Sequence, residues 1–378
     1  MNKLETQFIK ASFDPDINQS HYLVMPNYER VMYDYIRRNI PVSVRARSIQ
    51  ANGYPHRFAE QKKLPQNAAF IAPNSAADYG LGTKTLDEDH GREFSLAYVK
   101  AMTSRLKYTY FEKRQTEQYG QFEQVIKNDM MDLMADFAKV KNQAIWTGGA
   151  SSLQDTTSNE YCGLLTQITD KSTVASGTKI ADAVQTHIAE RLSDLTWGGR
   201  PTAIYANPIS IDLLIQEERE RTGYQRNIDV EITPGNKVPG IITQAGTLPL
   251  IADPYIPITN VYTYAASTDT TVTSGKTYFT KSGSVYTKVA SPTGNPSTSS
   301  YYEIATTKKE HRFVMMNENL LDRIWFDSPN AMLFEIASPE NPYNNTKLLT
   351  DKMVMQYDAY ILRGAYAGFH SILSKIVD

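Results

Sequence analysis

Residues 116–146 read TEQYGQFEQVIKNDMMDLMADFAKVKNQAIW, and their spacing predicts one long amphipathic helix. Phe122, Val125, Ile126, Leu133, Phe137 and Val140 recur at helical intervals and form one apolar stripe. Glu117, Glu123, Lys127, Asn128 and Lys139 occupy the remaining positions, and Asp129 interrupts the stripe. At roughly 1.5 Å per residue such a helix is about 45 Å long, more than an ordinary globular helix needs. Upstream, residues 94–110 partly alternate, with Phe94, Leu96 and Tyr98 set against Ser95, Ala97 and Lys100, as a strand would. Downstream come Trp146-Thr147-Gly148-Gly149, a polar stretch, and Cys162-Gly163-Leu164-Leu165. No catalytic signature sits on the helix or beside it.

Outward from the helix, the two sides differ. Residues 1–45 read as an arm, punctuated by Asp14-Pro15-Asp16 and Met25-Pro26-Asn27, with one short helix expected over residues 28–40. Residues 46–92 are turn-rich and weakly periodic, which fits a long loop ordered by a partner. Beyond the long helix the chain becomes mixed α/β. Ile180, Val184, Ile188, Leu192 and Leu195 mark a helix ending at Gly198-Gly199. A short strand is expected over residues 202–205. Asn207-Pro208 then reads as an N-cap followed by proline in the first helical position. Gly240-Ile241-Ile242 and Leu248-Pro249-Leu250-Ile251 read as strands around turns. Met353, Met355, Tyr357, Ala359 and Ile361 alternate with Val354, Gln356, Asp358 and Tyr360, the period-two pattern of a strand, and an apolar run closes the chain. Residues 262–306 stand apart: they are rich in Ser, Thr and Tyr. Residues 276–289 carry a hairpin signature around Lys281-Ser282-Gly283, with Tyr301-Tyr302-Glu303-Ile304 as a third strand. Such a β-insertion could bind a glycan or a partner protein, or only ornament the surface.

Composition narrows the function classes. The chain has 378 residues, enough for a sizeable core, and a net charge of −2 gives no bulk attraction to nucleic acid. One cysteine, Cys162, excludes an internal disulfide framework, and it reads as a small semi-buried side chain beside a turn. The N-terminal residues lack an apolar segment, so no signal peptide is expected, and no run of 18 apolar residues predicts a membrane span. Six scattered histidines form no ligand cluster, so no metal or other cofactor is expected. Asp14-Pro15-Asp16-Ile17-Asn18 begins like a calcium loop but has Gln19 where glycine is required. Gly80-Leu81-Gly82 lacks the third glycine of a dinucleotide loop, and Gly275-Lys276-Thr277 has Thr270 in place of the first glycine of a phosphate loop. Asp87-Glu88-Asp89-His90 reads as a solvated acidic turn. Arg37, Arg38, Arg45, Arg47, Arg57, Lys62 and Lys63 make the arm and early loop locally basic. These residues are candidates for pairing with acidic faces of neighbouring subunits, with phosphate neutralisation as the other reading. No catalytic residue is assigned.

The order of these segments resembles the major capsid proteins of tailed bacteriophages with the HK97-type fold. The resemblance rests on residues 95–101, the long helix, Thr147-Gly148-Gly149 through Gly163-Leu164-Leu165, and residues 202–208, 248–253 and 357–366 in colinear order. The insertion resembles small β-modules of phage structural proteins. The resemblance implies an α+β, HK97-like fold. Residues 1–45 form an N-terminal arm, 46–110 an extended loop with its strands, and 111–175 a spine helix with the peripheral domain. Residues 176–261 and 307–350 form an axial domain, 262–306 its inserted β-domain, and 351–378 a return strand of the peripheral domain. It implies a non-enzymatic shell subunit, made in the host cytoplasm and resident in the virion. Self-assembly into hexamers and pentamers around double-stranded DNA follows, with a separate scaffolding protein, a portal and a decoration protein as expected partners and no membrane. A nanocompartment shell of the encapsulin kind is the nearest rival, and a surface or tail adhesin is the rival from another class. Some members crosslink a loop lysine to an asparagine; Lys62, Lys63, Lys84, Asn341, Asn344 and Asn345 are present, but no motif selects a pair.

Overall fold

A computed structural model describes residues 41–61, 92–109, 122–174, 177–193, 199–222, 228–233, 236–269, 271–273, 276–293, 296–297, 301–337, 348–365 and 369–377. In chain order the elements begin with α1 (Pro41–Arg45), β1 (Arg47–Gln50), β2 (His56–Gln61), β3 (Arg92–Ala97) and β4 (Lys100–Thr109). Next come α2 (Phe122–Thr147), α3 (Leu164–Gln167), β5 (Lys171–Val174), α4 (Ile180–Leu192), β6 (Ala203–Ala206) and α5 (Pro208–Thr222). Strands β7 (Ile228–Thr233), β8 (Asn236–Thr243), β9 (Gly246–Ala252) and β10 (Thr259–Ala266) follow. The chain ends with β11 (Phe279–Ser282), β12 (Val285–Lys288), β13 (Tyr302–Met316), β14 (Leu321–Trp325), β15 (Met332–Ala337), β16 (Leu348–Leu362) and β17 (Ser371–Val377). The architecture is α+β, and it divides into two compact units.

The first unit draws on residues 1–60, 92–167 and 321–361. Its main sheet runs β1-β14-β16-β15, with β4 also paired to β16. Among the described residues, β2 and β3 pair with each other as a two-stranded ribbon. Phe58, Ala97, Val99, Ile324 and Ile361 make a small apolar core. The long helix is confirmed as α2, 26 residues or roughly 39 Å. Of the expected stripe, Phe137 is buried, Leu133 half-buried and Val140 48% exposed, while the side chains of Phe122, Val125 and Ile126 lie outside the described ones. Among the described residues the buried positions of the helix are Ala135, Phe137, Lys141, Asn142, Ile145 and Trp146, a lysine among them.

The second unit draws on residues 61–91, 168–320 and 362–378, and is organised around β13. The first half of β13 pairs with β10 from Glu310↔Thr259 to Tyr302↔Ala266. Its second half pairs antiparallel with both β6 and β17. Strand β6 also lies parallel to β9, so all four of its residues are buried. Such a doubly flanked strand reads as a continuous apolar run, which is why residues 203–206 are Ala-Ile-Tyr-Ala. Helices α4 and α5 supply Val184, Ile188, Ile211 and Leu214 to a core completed by Ile204, Leu250, Phe313 and Leu373. Asn207 caps α5 as expected: its Oδ1 accepts the Ile209 N–H at 3.1 Å. The start of α4 lacks a cap of its own, and the buried Glu217 of α5 accepts the Ile180 N–H instead. Glu217 also pairs with Lys375.

The β-rich segment belongs to this same sheet. Hairpin β11–β12 turns at Gly283-Ser284, with Gly283 at φ +62°, the left-handed conformation that a two-residue turn requires. Strand β11 then meets β13 at Phe279↔Tyr302, which makes Tyr302 part of the third strand.

Candidate functional site

The densest polar constellation lies inside the first unit. On β16, Gln356 is 3% exposed and Asp358 is fully buried. The period-two pattern is therefore real, but through Val354, Gln356 and Asp358 its polar phase faces inward. The cause is a set of partners from three other segments. Lys141, from the penultimate turn of α2, donates to Asp358 Oδ2 and, at 2.7 Å, to Gln356 Oε1. Arg323 of β14 donates from Nε to Asp358 Oδ2 at 3.1 Å. The Tyr161 hydroxyl donates to Asp358 Oδ1. The Lys141 ammonium also sits 5.6 Å from the centre of the Tyr360 ring. One carboxylate thus holds two cations and a phenol together.

Burial lowers the proton affinity of the Lys141 amine, with Asp358 opposing the shift and Arg323 adding to it. Burial, then the nearby Asp358 charge, pushes the Tyr161 hydroxyl far above its ordinary range, so it stays a hydrogen-bond donor. All four groups are engaged with one another, and this closed set ties the end of the long helix to the sheet.

Next to it, two stretches of backbone touch. Gly149 and Cys162 form an isolated antiparallel bridge, and Ala150 N–H donates to Tyr161 O at 3.1 Å. A Cβ on Gly148 would lie 2.7 Å from Ala144 O, and one on Gly163 would lie 2.5 Å from Trp146 O. Only glycine permits this approach, which explains Thr147-Gly148-Gly149 and Gly163-Leu164-Leu165 as a matched pair. Lys100 closes the intervening loop by donating to Asp155 O and Ser158 O, both at 2.6 Å. Asp155 in turn accepts from Ser151, Thr157 and Ser158. A half-open cleft of about 340 Å³ lies alongside, lined by Val140, Gln143, Thr147, Asn159 and Glu160 among others. Cys162 is buried and its thiol is pushed up to about 11 by that burial, which leaves little thiolate for nucleophilic chemistry.

Of the basic residues singled out in the sequence, Arg45 ends α1, Arg47 opens β1 and Arg57 lies in β2. Arg47 Nε donates to the buried Asp322 at 2.8 Å while its side chain stays 60% exposed. Arg37, Arg38, Lys62 and Lys63 lie outside the described residues, as do Lys84, Asn341, Asn344 and Asn345. The expected helix over 28–40, the acidic run 87–90, Asp14 to Gln19, Gly80 to Gly82, Thr270 and Gly275 lie outside them as well. Among the described residues no group of three or more His, Cys, Asp or Glu could hold a metal, and no helix is long and apolar enough to cross a membrane.

No protein-family model matches the chain, and no curated protein matches it. Solved structures do. The capsid subunit of cyanophage A-1(L) superposes with a TM-score of 0.50 at 11% identity, over 91% of this chain and 95% of that one. The chain has the HK97-type capsid fold. A structure from Gordonia phage Cozz is similar at TM-score 0.49 and 11% identity, covering 93% of this chain and 91% of that one. The SrpI encapsulin of Synechococcus elongatus matches at TM-score 0.48 and 10% identity over 91% of each chain. In this capsid fold, the ion cluster and the glycine contact fix the end of the longest helix to its sheet.

Proposed function

We propose that the chain is the structural subunit of an icosahedral phage capsid, which assembles into hexamers and pentamers around packaged double-stranded DNA. The observation that carries this reading is the likeness to the cyanophage capsid subunit along nearly the whole length of both chains. Within it, α2 is the spine helix. The β2–β3 ribbon is the root of the extended loop of residues 46–110. Residues 111–175 and 351–378 make the peripheral domain, and 176–261 with 307–350 the axial domain, with 262–306 inserted into it. Arg45, Arg47 and Arg57, together with Arg37, Arg38, Lys62 and Lys63, contact acidic faces of adjacent subunits. A wall built from heterologous contacts closes when the rotation between copies closes into rings. Near-neutral charge lets such a wall surround DNA without adhering to it. A separate scaffolding protein, a portal and a decoration protein are the partners, the host cytoplasm is the place of assembly, and the virion is the destination. The test is to express the chain alone and with the scaffold encoded beside it, then image the products by electron microscopy. Closed shells support the reading; small oligomers under every condition contradict it.

A further inference from the structure

We infer that the outer face of the β2–β3 ribbon of one copy docks into the cleft between α2 and β4 of a second copy, with Phe94 as the knob. The inference rests on the shell reading above and names the two surfaces that meet. Side chains alternate along both strands of the ribbon. Phe58 and Ala97 enter the core of the first unit. Glu60 and Glu93 share their phase, and Glu60 accepts from the Ser95 hydroxyl at 3.4 Å. Arg57, Ala59, Arg92 and Phe94 take the opposite phase and are all exposed, Phe94 by 80%. Neither arginine has an ion pair among the described residues. The ribbon thus presents a bare aromatic ring beside two guanidinium groups, with both its carboxylates turned away.

The cleft is the counterpart in shape and in sign. Val140, Ala144 and Thr147 of α2 line it together with Ala101 and Met102 of β4 and with Glu160. Its space of about 340 Å³ is ample for a benzyl group, and Val140 is 48% exposed there. Glu160 is exposed and spends one carboxylate oxygen on the Gly149 N–H at 2.7 Å. Asp136 and Asp132 stand four and eight residues before Val140, so they continue its row along the helix, and both are exposed. Lys139 lies beside that row. Lys100 is spent on the carbonyls of Asp155 and Ser158. Three carboxylates against Lys139 give the apolar cleft a negative border.

Both features belong to the same compact unit, and the exposure of Phe94 shows that its own cleft does not take it. A knob and a hole at different places on one molecule make a heterologous contact, which passes from copy to copy and closes into a ring when the rotation allows. Positive groups around the knob and negative groups around the hole fix the register and disfavour wrong partners. The same border repels phosphate, so packaged DNA is not the occupant.

The test combines Phe94→Cys with Val140→Cys in the full chain and adds a short bis-maleimide to the assembled particles. Cys162 is buried and its thiol scarcely ionised, so the parent chain gives a low background. The expected result is a covalent ladder running past the dimer in denaturing gels, absent from the parent and from either single variant. R57E with R92E should lower the particle yield by about tenfold or more, and D132R with D136R should do the same. All four charge reversals together should restore at least about half of it. Closed particles without the ladder, a product that stops at the dimer, coupling of the Val140→Cys variant to a different protein, or charge reversals that do not rescue one another would overturn the inference and leave the shell reading standing. A parent chain that never associates in sedimentation would overturn both.

Discussion

Asp358 is the residue on which Lys141, Arg323 and Tyr161 converge. It is fully buried between Lys141 and Arg323, and a buried carboxylate left without its cations costs several kcal/mol. The cation and the carboxylate are not equivalent in what their loss exposes. Lys141→Met leaves Asp358 still held by Arg323 and Tyr161, so a loss of about 1–2 kcal/mol is expected. Asp358→Asn leaves two buried cations facing a neutral amide, and about 3–5 kcal/mol should be lost. Urea unfolding of both variants checks the order, and equal losses would contradict it. A second residue sets the acid response. His370 accepts the Asn317 N–H at Nδ1 and donates from Nε2 to Arg363 O, so both ring nitrogens are satisfied in the neutral form. Burial pushes its pKa down to about 4 from an ordinary 6.5. Between those values the unfolded chain binds a proton that the folded chain refuses. Stability therefore falls as pH drops from 6.5 to 4, by at most roughly 3 kcal/mol. His370→Gln should flatten that part of the curve. His187 and His311, also lowered by burial, keep some slope in either protein.

At the scale of elements, the sequence revealed which segments fold into what, but less of how they meet. The Asn207 cap, the strand expected over residues 202–205 and found over 203–206, and the long helix all follow from local chemistry and were legible. The burial of Lys141 in its C-terminal turns was not. Periodicity ranks apolar side chains, whereas the helix is fixed by Lys141, whose partner stands at residue 358. Gln356 and Asp358 were visible in the strand pattern, but only the fold shows that the polar phase points inward. Gly148 and Gly163 were noticed as a motif; their reason is the contact between two backbones. Gly163→Ala should therefore cost several kcal/mol or yield insoluble protein, although the substitution adds one methyl group. Solubility and melting temperature check this. The β-insertion allows the opposite prediction. Val261 faces Lys308 and Tyr262 faces Thr307, so removing 262–306 leaves two strand ends side by side. Replacing 262–307 by Asn-Gly, so that the link joins the opposed pair Val261 and Lys308, should restore a hairpin and shift the melting temperature by only a few degrees. A collapse of the second unit would show that the insertion supports it.

For the whole molecule, the central claim is that this HK97-type fold serves as a shell tile. The two-stranded ribbon of β2 and β3, and a helix whose Met131, Met134 and Val140 remain exposed, leave surface for other copies to cover. The basic residues around β1 and β2 belong to the same argument, since they lie beside the ribbon. Composition could exclude a long apolar membrane-spanning helix and a disulfide framework, but a shell is a property of many chains and has no motif in one. The most direct measurement is cryo-electron microscopy of particles formed by the chain, alone or with a co-expressed candidate scaffolding protein. The account predicts closed shells of six-fold and five-fold capsomers in which the 46–110 loop of one subunit lies on its neighbour. Particles that never close, or subunits that stay monomeric with their scaffold present, would contradict it.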